Sequence, residues 1–590
     1  MSPGYNQAMM QHLFLCYKDS VLRRSIEISL SETLEGALVN VARKLLSPFM
    51  LVLLAALFSG ACSDTSTDLS KPVAALSETR PNILLIVADD LGYADLGVYG
   101  SDIKTPNIDS IAASGVLFTQ FHTAPLCAPT RAMLLSGNNN HIAGMARQGE
   151  VGLLNSPVDG YEASLSDRIV PFPRLLQQAG YNTYTVGKWH LGLEDDNSPH
   201  AAGFSRAFNL LDGAGTHFDS VGFFEGGSSY REDEELTFFP EGRYSTDLYT
   251  ERLIEFIDAN KNDGKPFFAF AAYTSPHWPL QVPDDYLDLY AGYFDDGYDA
   301  LRERRFVSLK KAGIIPADSQ LPPRNAGITP WEELTVEQQR HESRKMELYA
   351  AMVDNLDDHV GRLLDYLHAN GLYENTLIIF MSDNGAAAED FFNRGEYKEY
   401  LQAHFDNAYE KMGTAASFVS YDEPWAEAGS APFMRRKSYT REGGMVAPML
   451  ITGPGVAAKN SINDTYFTVM DLAPTFIELA GAKYPDDGSV QPMLGESITD
   501  FLAGKVDVVH DENYVTTLYH GGRAFLRQGD WKISNLEPPF DEAAFELFNV
   551  VADPGEANNL AEQEPEKLEQ LIELWREERK KLGIILPQDL

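Results

Sequence analysis

The segment NILLIVADD, residues 82–90, fixes the fold class, because an almost uninterrupted apolar run ends directly in two carboxylates, Asp89 and Asp90. A continuous apolar run of this length is typical of a parallel strand that is buried on both faces. The segment TLIIFMS, residues 376–382, has the same design and is followed by Asp383, Asn384 and a glycine. The two segments together predict an α/β fold with a large mixed sheet flanked by helices.

Two further apolar segments end in polar side chains. YNTYTV, residues 181–186, leads through a glycine to Lys188 and His190, and FFAFAAY, residues 267–273, leads to His277. In an open α/β sheet, ligands bind outside the carboxyl ends of the strands. We therefore expect these four strand ends to converge on one crevice.

The segment PLCAPTR, residues 125–131, adds a cysteine at the start of a predicted helix. Unpaired backbone N–H groups and the helix dipole at such a position favour an anion. Arg131 follows Cys127 by one helical turn and lies on the same face. The alternative is a lone thiol that packs as a small hydrophobic side chain. The nearby strand ends favour a site for chemistry on a negatively charged group.

Length and charge narrow the function further. The chain has 590 residues, which suggests one large domain with a smaller companion. Its formal charge of -39 argues against nucleic-acid binding, which needs a basic surface. An anionic substrate must therefore be held by a few local cations that act against the overall field.

The amino-terminal part has the pattern of an export signal. An apolar stretch at residues 45–58 follows two basic residues, is too short to span a bilayer, and ends in small residues before Cys62. These resemble a bacterial lipobox, with Ser59 where leucine is usual. Either Cys62 is lipidated and anchors the protein to a membrane in the periplasm, or cleavage nearby gives a soluble exported enzyme.

We interpret residues 1–62 as leader and signal or lipobox segment, with a true translation start near residue 41, since residues 1–40 fit no signal pattern. Residues 63–80 are polar and are predicted to form a flexible tether. The cysteines are Cys16, Cys62 and Cys127. With the first two assigned to the leader and the anchor, no disulfide framework remains.

Several of these motifs together resemble a known family. CAPTR at residues 127–131, with LLSG at residues 134–137, resembles the signature of the type I, formylglycine-dependent sulfatases, and GYNTYTVGKWH at residues 180–190 resembles their second signature. HIAG at residues 141–144 and YTREGG at residues 439–444 look most like bacterial arylsulfatases of the Pseudomonas type. The chain departs from the pattern at Thr130, where serine or alanine is commoner, and at Ser136, where threonine is usual.

The resemblance implies an alkaline-phosphatase-like sulfatase fold and a specific nucleophile. A maturase that binds transiently would oxidise Cys127 to formylglycine, and one hydroxyl of its hydrate would attack sulfur. The second hydroxyl would later expel sulfate by collapse to the aldehyde. Lys188 and Lys437 match the family's lysines that contact sulfate. His190 matches the base that deprotonates the second hydroxyl, and His277 matches the histidine that protonates or stabilises the leaving oxygen. The implied catalytic residues are Cys127, Arg131, Lys188, His190, His277 and Lys437.

The strand ends also predict a metal site. The side chains of Asp89, Asp90, Asp383 and Asn384 offer only oxygen atoms, which hard divalent cations prefer. The resemblance implies Ca²⁺, with Mg²⁺ as the fallback, and adds the modified Cys127 to the ligands. Alternatively, each acidic pair is a turn at a strand end. His122, His141 and His217 are interpreted as structural or as lining the substrate.

The chain is predicted to divide into a catalytic domain at residues 81–502 and a four-stranded α+β subdomain at residues 503–590. Residues 284–336 and 386–434 lack the pattern of core strands, and we expect them to form lids, specificity walls or packing over the sheet edge. The second stretch carries the aromatic residues Phe391, Phe392, Tyr397, Tyr400, Phe405, Tyr409 and Trp425. They favour an aryl or other hydrophobic leaving group.

The leading hypothesis is therefore a sulfuric ester hydrolase that cleaves the S–O bond of small aryl or alkyl sulfate monoesters. One alternative is a formylglycine-dependent phosphonate monoester or phosphodiester hydrolase, because the site would bind tetrahedral oxyanions in general. The other is an unmodified pseudoenzyme that binds sulfated ligands without turnover.

Overall fold

The structure is a computed structural model that describes residues 80–147, 158–586 and 589. They fall within one compact unit, Glu78–Leu590. The predicted export signal, Cys62 and the tether up to residue 79 lie outside the described residues. Within the described ranges, no helix combines the length and the apolar character that a membrane crossing requires.

A large sheet forms the centre of the fold. The strands outside the carboxyl-terminal sheet are β1 Asn82–Ala88, β2 Val116–Phe118, β3 Phe121–His122, β4 Asn182–Lys188, β5 Arg206–Leu210, β6 Tyr230–Glu232, β7 Glu235–Thr237, β8 Phe267–Ala272, β9 Thr376–Ser382, β10 Met449–Thr452, β11 Ser461–Asn463 and β12 Phe467–Thr468. Ten of these described strands make one sheet in the order β11-β2-β10-β9-β1-β8-β4-β5-β6-β7, and β3 pairs with β12. This confirms the predicted large mixed sheet.

The middle of the sheet, β9-β1-β8-β4-β5, is parallel, and β10, β6 and β7 add antiparallel partners. Both faces of β1 are covered: Ile83 and Leu85 belong to one apolar cluster, whereas Leu84 and Ile86 belong to the other. A strand buried on both faces has no side that polar groups can occupy, so its polar residues lie past its end. The carboxyl ends of the parallel strands therefore collect polar side chains at one edge of the sheet.

Helices cover the two faces of this sheet, and the last helix packs against the carboxyl-terminal sheet. They are α1 Pro106–Ser114, α2 Cys127–Ser136, α3 Phe172–Gln178, α4 Ser245–Asn260, α5 Gly297–Ala312, α6 Val336–Ala369, α7 Lys398–His404, α8 Asp422–Gly429, α9 Glu442–Met445, α10 Leu472–Leu479, α11 Thr499–Leu502 and α12 Pro565–Leu582. The sequence pattern predicts helices over residues 253–260 and 346–369, and both are longer in the structure, since α4 begins at Ser245 and α6 at Val336. The side chain of Thr335 caps α6 by accepting from the Gln338 N–H. The first turns of α6 are polar, so no apolar stripe indicates in the sequence where this helix begins.

The carboxyl-terminal part forms the predicted small α+β unit. The strands β13 Val515–His520, β14 Arg523–Gln528, β15 Trp531–Asn535 and β16 Glu546–Asn549 make an antiparallel sheet in sequence order. The last helix, α12, buries Leu571, Ile572 and Trp575 in the apolar cluster of this unit, as its amphipathic stripe predicts. The division at residues 502 and 503 stays a prediction.

A buried charge network joins this small sheet to α9 and β3. The Lys532 ammonium lies 2.6 Å from Glu442 Oε1 and 3.0 Å from Glu556 Oε1. The Glu442 backbone N–H donates to Glu556 Oε2 at 2.7 Å, and Glu442 Oε2 lies 2.8 Å from His122 Nε2. Although burial raises the pKa of Glu442, Lys532 and His122 outweigh it and hold that pKa well below its ordinary value. His122 is therefore part of the contact between β3 and the carboxyl-terminal unit.

Candidate active site

The four predicted strand ends and the cysteine helix meet at one place. Asp89 and Asp90 follow β1, Asp383 and Asn384 follow β9, and Lys188 is the last residue of β4. The loop after β8 brings His277, and α2 begins at Cys127. These side chains are all buried. The structure thus brings together the residues that the sequence singled out.

Asp89 is held by two cations. Lys188 Nζ donates to both of its carboxylate oxygens at 2.8 Å. Arg131 Nη2 lies 3.8 Å from Asp89 Oδ1. Although burial lowers the pKa of Lys188, Asp89 and other nearby groups outweigh it and raise that pKa above its ordinary value, so the ammonium stays charged. Lys188 is thereby fixed at the carboxyl end of β4 as a buried positive charge.

Asp90 is the centre of the cluster, and its backbone has a φ of 65°. This left-handed conformation is uncommon for a residue with a side chain. Asp90 Oδ1 accepts from Asn384 Nδ2 at 2.6 Å, and Oδ2 accepts from Lys437 Nζ at 2.7 Å. Burial raises its pKa, but Lys437 and His277 outweigh that effect and lower it overall, so Asp90 is ionised.

Arg131 connects α2 to the other strand ends. Its Nε and Nη2 donate to Asp383 Oδ2 at 3.0 and 2.8 Å, and its Nη1 donates to the Lys188 carbonyl at 2.8 Å. Burial, with the neighbouring charge of Asp89, raises the pKa of Asp383 to about 6. The guanidinium compensates the buried carboxylate and fixes the orientation of α2 against β4 and β9.

Cys127 lies at the amino end of α2 with its thiol inside the cluster. Its Sγ is 3.6 Å from Asp90 Oδ1. Burial raises the pKa of the thiol well above its ordinary value, so Cys127 is neutral as a cysteine and a poor nucleophile. Thr130, the first departure from the family pattern, fixes the preceding loop because its hydroxyl accepts from Ala124 N–H and donates to the Ala124 carbonyl. The thiol therefore faces charged groups rather than an apolar pocket.

His277 presents one ring nitrogen to the cluster. Its Nδ1 lies 2.7 Å from the Trp278 carbonyl, which requires a proton on Nδ1. Its Nε2 is 3.2 Å from Asp90 Oδ2 and 3.4 Å from Lys437 Nζ. Burial lowers the pKa of His277 to about 3, although Asp90 acts in the opposite direction. His217 supports this loop, since its Nε2 lies 3.3 Å from the His277 carbonyl.

His190 follows β4 with a φ of 60°, and its Nδ1 is buried with no hydrogen-bond partner among the described residues. Gly213 leaves room for the ring, because a Cβ there would come within 2.4 Å of His190 Cε1. Burial lowers the pKa of His190 well below its ordinary value, and the charges of Lys188 and Arg131 add to that effect. A neutral imidazole with an unpaired nitrogen is able to accept a proton.

The cluster fits a divalent cation. One ligand atom from each of Asp89, Asp90, Cys127 and His277 lies within 4.8 Å of the others. His277 was not predicted as a ligand, whereas Asp383 and Asn384 were. Asn384 Oδ1 is buried and has no hydrogen-bond partner among the described residues, so this oxygen is available as a ligand for a cation. Ca²⁺ and Mg²⁺ prefer oxygen ligands, and the buried carboxylate and amide oxygens of this cluster are ligands of that kind.

Aromatic side chains line one side of the cluster. The ring centroid of Trp278 lies 4.3 Å from that of His277 and 5.2 Å from that of Phe391. Phe223 and Phe418 also pack on Trp278. We call Trp278, Phe391, Phe223 and Phe418 the aromatic wall.

For Trp425 the packing alternative holds. Its side chain is fully buried between Tyr298 and Trp331, with ring centroids 5.5 and 5.9 Å away. Trp425 is therefore core and contributes to no lid.

Some predicted candidates are structural, and some neighbours of the site were missed. His141 contacts Asn140 Oδ1 at 3.3 Å, and burial lowers its pKa to about 3. Glu389 was not predicted from the sequence; Lys437 lowers its pKa against the raising effect of burial. Arg436 was not predicted either. Only its position next to Lys437 in the chain could have indicated it.

Comparisons with known proteins agree with this geometry. Residues 81–482 match the family model described as Sulfatase, and residues 433–582 match the one described as N-sulphoglucosamine sulphohydrolase, C-terminal. The chain is 37% identical to an arylsulfatase of Klebsiella aerogenes over 73% of this chain and 94% of the relative. It is 38% identical to an uncharacterized sulfatase of Schizosaccharomyces pombe over 86% of this chain and 95% of the relative.

Solved structures give the same result for the fold. The crystal structure of Ps i-CgsB in complex with k-i-k-neocarrahexaose has a TM-score of 0.60 and 25% sequence identity, and covers 85% of this chain and 93% of that chain. The residues matched by the Sulfatase family model, 81–482, include both predicted signatures and every strand end of the cluster. The chain belongs to the sulfatase family.

Proposed function

We propose that the protein hydrolyses the S–O bond of aryl or small alkyl sulfate monoesters, with formylglycine formed from Cys127 as the nucleophile. One observation carries this proposal: the side chain of Cys127 lies at the start of α2 inside a buried cluster of carboxylates and cations. The carboxylates are Asp89, Asp90 and Asp383, and the cations are Arg131, Lys188 and Lys437. Such a cluster suits an oxyanion and a divalent cation together, but serves no purpose for a packing thiol.

The proposed cation is Ca²⁺, with Mg²⁺ as the fallback. Asp89, Asp90, Asp383 and Asn384 would hold it, together with the modified side chain of Cys127. When bound, such a cation supplies positive charge that activates a hydroxyl and neutralises sulfate oxygens. The unpaired Oδ1 of Asn384 supports this assignment.

The cationic side chains would bind and orient the sulfate group. Lys188 and Lys437 are buried, charged and directed at the carboxylates beside Cys127, so both can also contact sulfate oxygens. Arg131 acts by positioning, because its guanidinium donates to Asp383 and to the Lys188 carbonyl and lies 3.8 Å from Asp89.

The two histidines would move protons. The unpaired Nδ1 of His190 can accept the proton of the second hydroxyl of the hydrate. His277 holds the proton on Nδ1 against the Trp278 carbonyl, so its exchange with the leaving oxygen takes place at Nε2. The aromatic wall begins at the next residue, Trp278, and supports an aryl leaving group at this position.

The first test is mass spectrometry of the peptide that contains Cys127, from protein made together with a competent maturase. We expect the mass loss of thiol-to-aldehyde conversion, and activity that Cys127→Ala abolishes. Active protein that carries only the unmodified thiol would refute the mechanism. The second test compares kcat/KM for 4-nitrophenyl sulfate with that for a 4-nitrophenyl phosphonate monoester. A preference for the phosphonate would favour the first alternative, and protein that keeps the unmodified thiol and binds both compounds without turnover would favour the pseudoenzyme.

A further inference from the structure

A cavity of about 310 Å³ adjoins the site, and three arginines line it: Arg394, Arg436 and Arg523. Its wall includes Ser438, which directly follows Lys437 in the chain and donates its N–H to the Pro125 carbonyl at 2.8 Å. Pro125 lies two residues before Cys127. The cavity therefore lies beside the proposed sulfate site rather than on a remote surface.

Arg523 is held in place but leaves its terminal nitrogens available. Its guanidinium lies 4.5 Å from the ring centroid of Tyr439, and its Nε donates to the Leu536 carbonyl at 2.7 Å. Among the described residues, no carboxylate oxygen lies within 4.0 Å of its guanidinium nitrogens. Its Nη1 and Nη2 groups thus remain free to donate to an oxyanion in the cavity.

Arg436 is only weakly compensated. The guanidinium carbon of Arg436 lies 5.4 Å from the ring centroid of Tyr439, and its Nη2 lies 3.6 Å from Glu423 Oε1. Its buried Nε has no hydrogen-bond partner among the described residues. Arg394 is different, because it is exposed and pairs with Asp422 at the rim.

Two carboxylates also line the cavity, but both have other contacts. Glu389 Oε1 accepts from the Ser438 hydroxyl at 3.3 Å, and Lys437 lowers its pKa. Asp390 accepts from Asn393 N–H and Nδ2 at 3.2 and 2.8 Å. Arg394 and Arg436 pair with Asp422 and Glu423, whereas Arg523 has no carboxylate partner among the described residues, so Arg523 supplies an uncompensated positive charge in a chain whose net charge is -39. Such a local exception is what a bound anion requires.

We propose, on the basis of the proposed function, that this cavity binds a second anionic group, a carboxylate or a sulfate, on the alcohol part of the substrate. Phe391 lines the cavity and also belongs to the aromatic wall. A ring that rests on this wall therefore has its sulfate ester directed at Cys127 and an anionic substituent directed at Arg523 and Arg436. Guanidinium groups bind both carboxylate and sulfate oxygens in paired hydrogen bonds. The preferred substrates are then dianionic aryl sulfates.

Binding of inert probes tests this inference without turnover. Isothermal calorimetry would compare 4-sulfobenzoate, benzene-1,4-disulfonate and benzenesulfonate, in which one sulfonate stands for the sulfate ester and the other group for the second anion. We expect at least one dianionic probe to bind about tenfold or more tightly than benzenesulfonate, as charge-assisted hydrogen bonds predict. A preference for 4-sulfobenzoate would indicate a carboxylate, and one for the disulfonate would indicate a second sulfate.

The Arg523→Gln variant should remove most of this preference, because glutamine keeps a donor for the Leu536 carbonyl but lacks the charge. Arg206→Gln is the matched control, since Arg206 also lies over an aromatic ring, 4.4 Å from the centroid of Phe256. Arg206 is the first residue of β5, whereas the site lies at the carboxyl ends of the strands. Equal affinities for all three probes in the unmutated protein, or an unchanged preference in Arg523→Gln, would overturn the inference. Retained preference with no turnover of any sulfate ester would refute the proposed function alone.

Discussion

Replacement of Lys532 by methionine tests whether the charge network that joins the small sheet to α9 and β3 stabilises the protein. Lys532 is fully buried, and its ammonium lies 2.6 Å from Glu442 Oε1 and 3.0 Å from Glu556 Oε1. Methionine fills a similar volume, so the change removes the charge without a large cavity. Two buried carboxylates then lose their shared cation.

The expected cost follows from the contacts that remain. Removal of one partner of a buried ion pair typically costs about 3–5 kcal/mol, because the other charge stays desolvated. Here Glu442 keeps His122 at 2.8 Å, and Glu556 keeps the Glu442 N–H at 2.7 Å. These contacts offset part of the loss, so we expect a destabilisation of about 3 kcal/mol, at the low end of that range.

The assay is urea denaturation followed by tryptophan fluorescence, which includes Trp531 beside the mutated residue. Lys505→Met is the matched control, because Lys505 is 68% exposed and pairs with Asp500 at 2.8 Å, so its loss should cost below about 0.5 kcal/mol. In Lys532→Met, the further change Glu442→Gln should restore about 1 kcal/mol or more by removing one unpaired charge. Equal denaturation midpoints for Lys532→Met and Lys505→Met would refute the reasoning.

Four other predictions concern the site and the export signal. Asp383→Asn should abolish bound Ca²⁺, measured by elemental mass spectrometry, and activity with it, while circular dichroism stays unchanged; full metal content would contradict the ligand set. His277→Ala should slow phenyl sulfate roughly 100-fold or more but 4-nitrophenyl sulfate much less at the S–O cleavage step, because a poorer leaving group depends more on protonation; equal losses would assign His277 to binding. Phe391→Ala should raise KM for aryl sulfates several-fold and leave that for methyl sulfate nearly unchanged, and a parallel rise for both would argue against the aromatic wall as the aryl site. Cys62→Ser should release the exported protein from the membrane fraction if Cys62 is lipidated, and unchanged membrane association on fractionation would argue against that anchor.

Local patterns in the sequence determined the strands and the residues that follow them. The apolar run before Asp89 and Asp90 and the one before Asp383 predicted buried strands, because continuous burial leaves no position for a polar side chain until the strand ends. The start of a helix at Cys127 followed from the residue pattern in the same way. Helix starts were less accurate where the first turns are polar, as at Val336, since periodicity reports burial rather than helical hydrogen bonds.

The sequence predicted that the strand ends converge, but only the tertiary structure decided which side chains contact one another. Lys437 lies 347 positions from Asp90 in the chain, yet their side chains are 2.7 Å apart, because the segment before α9 packs on the loop after β9, where the Lys437 N–H donates to the Ala386 carbonyl at 3.1 Å. The same holds for Arg523, whose strand belongs to the small sheet but whose side chain lines a cavity beside the site. Periodicity and motif spacing indicate which positions of a segment are buried and which are polar. Which other segment packs against those positions depends on crossover connections and sheet order, which no local pattern encodes.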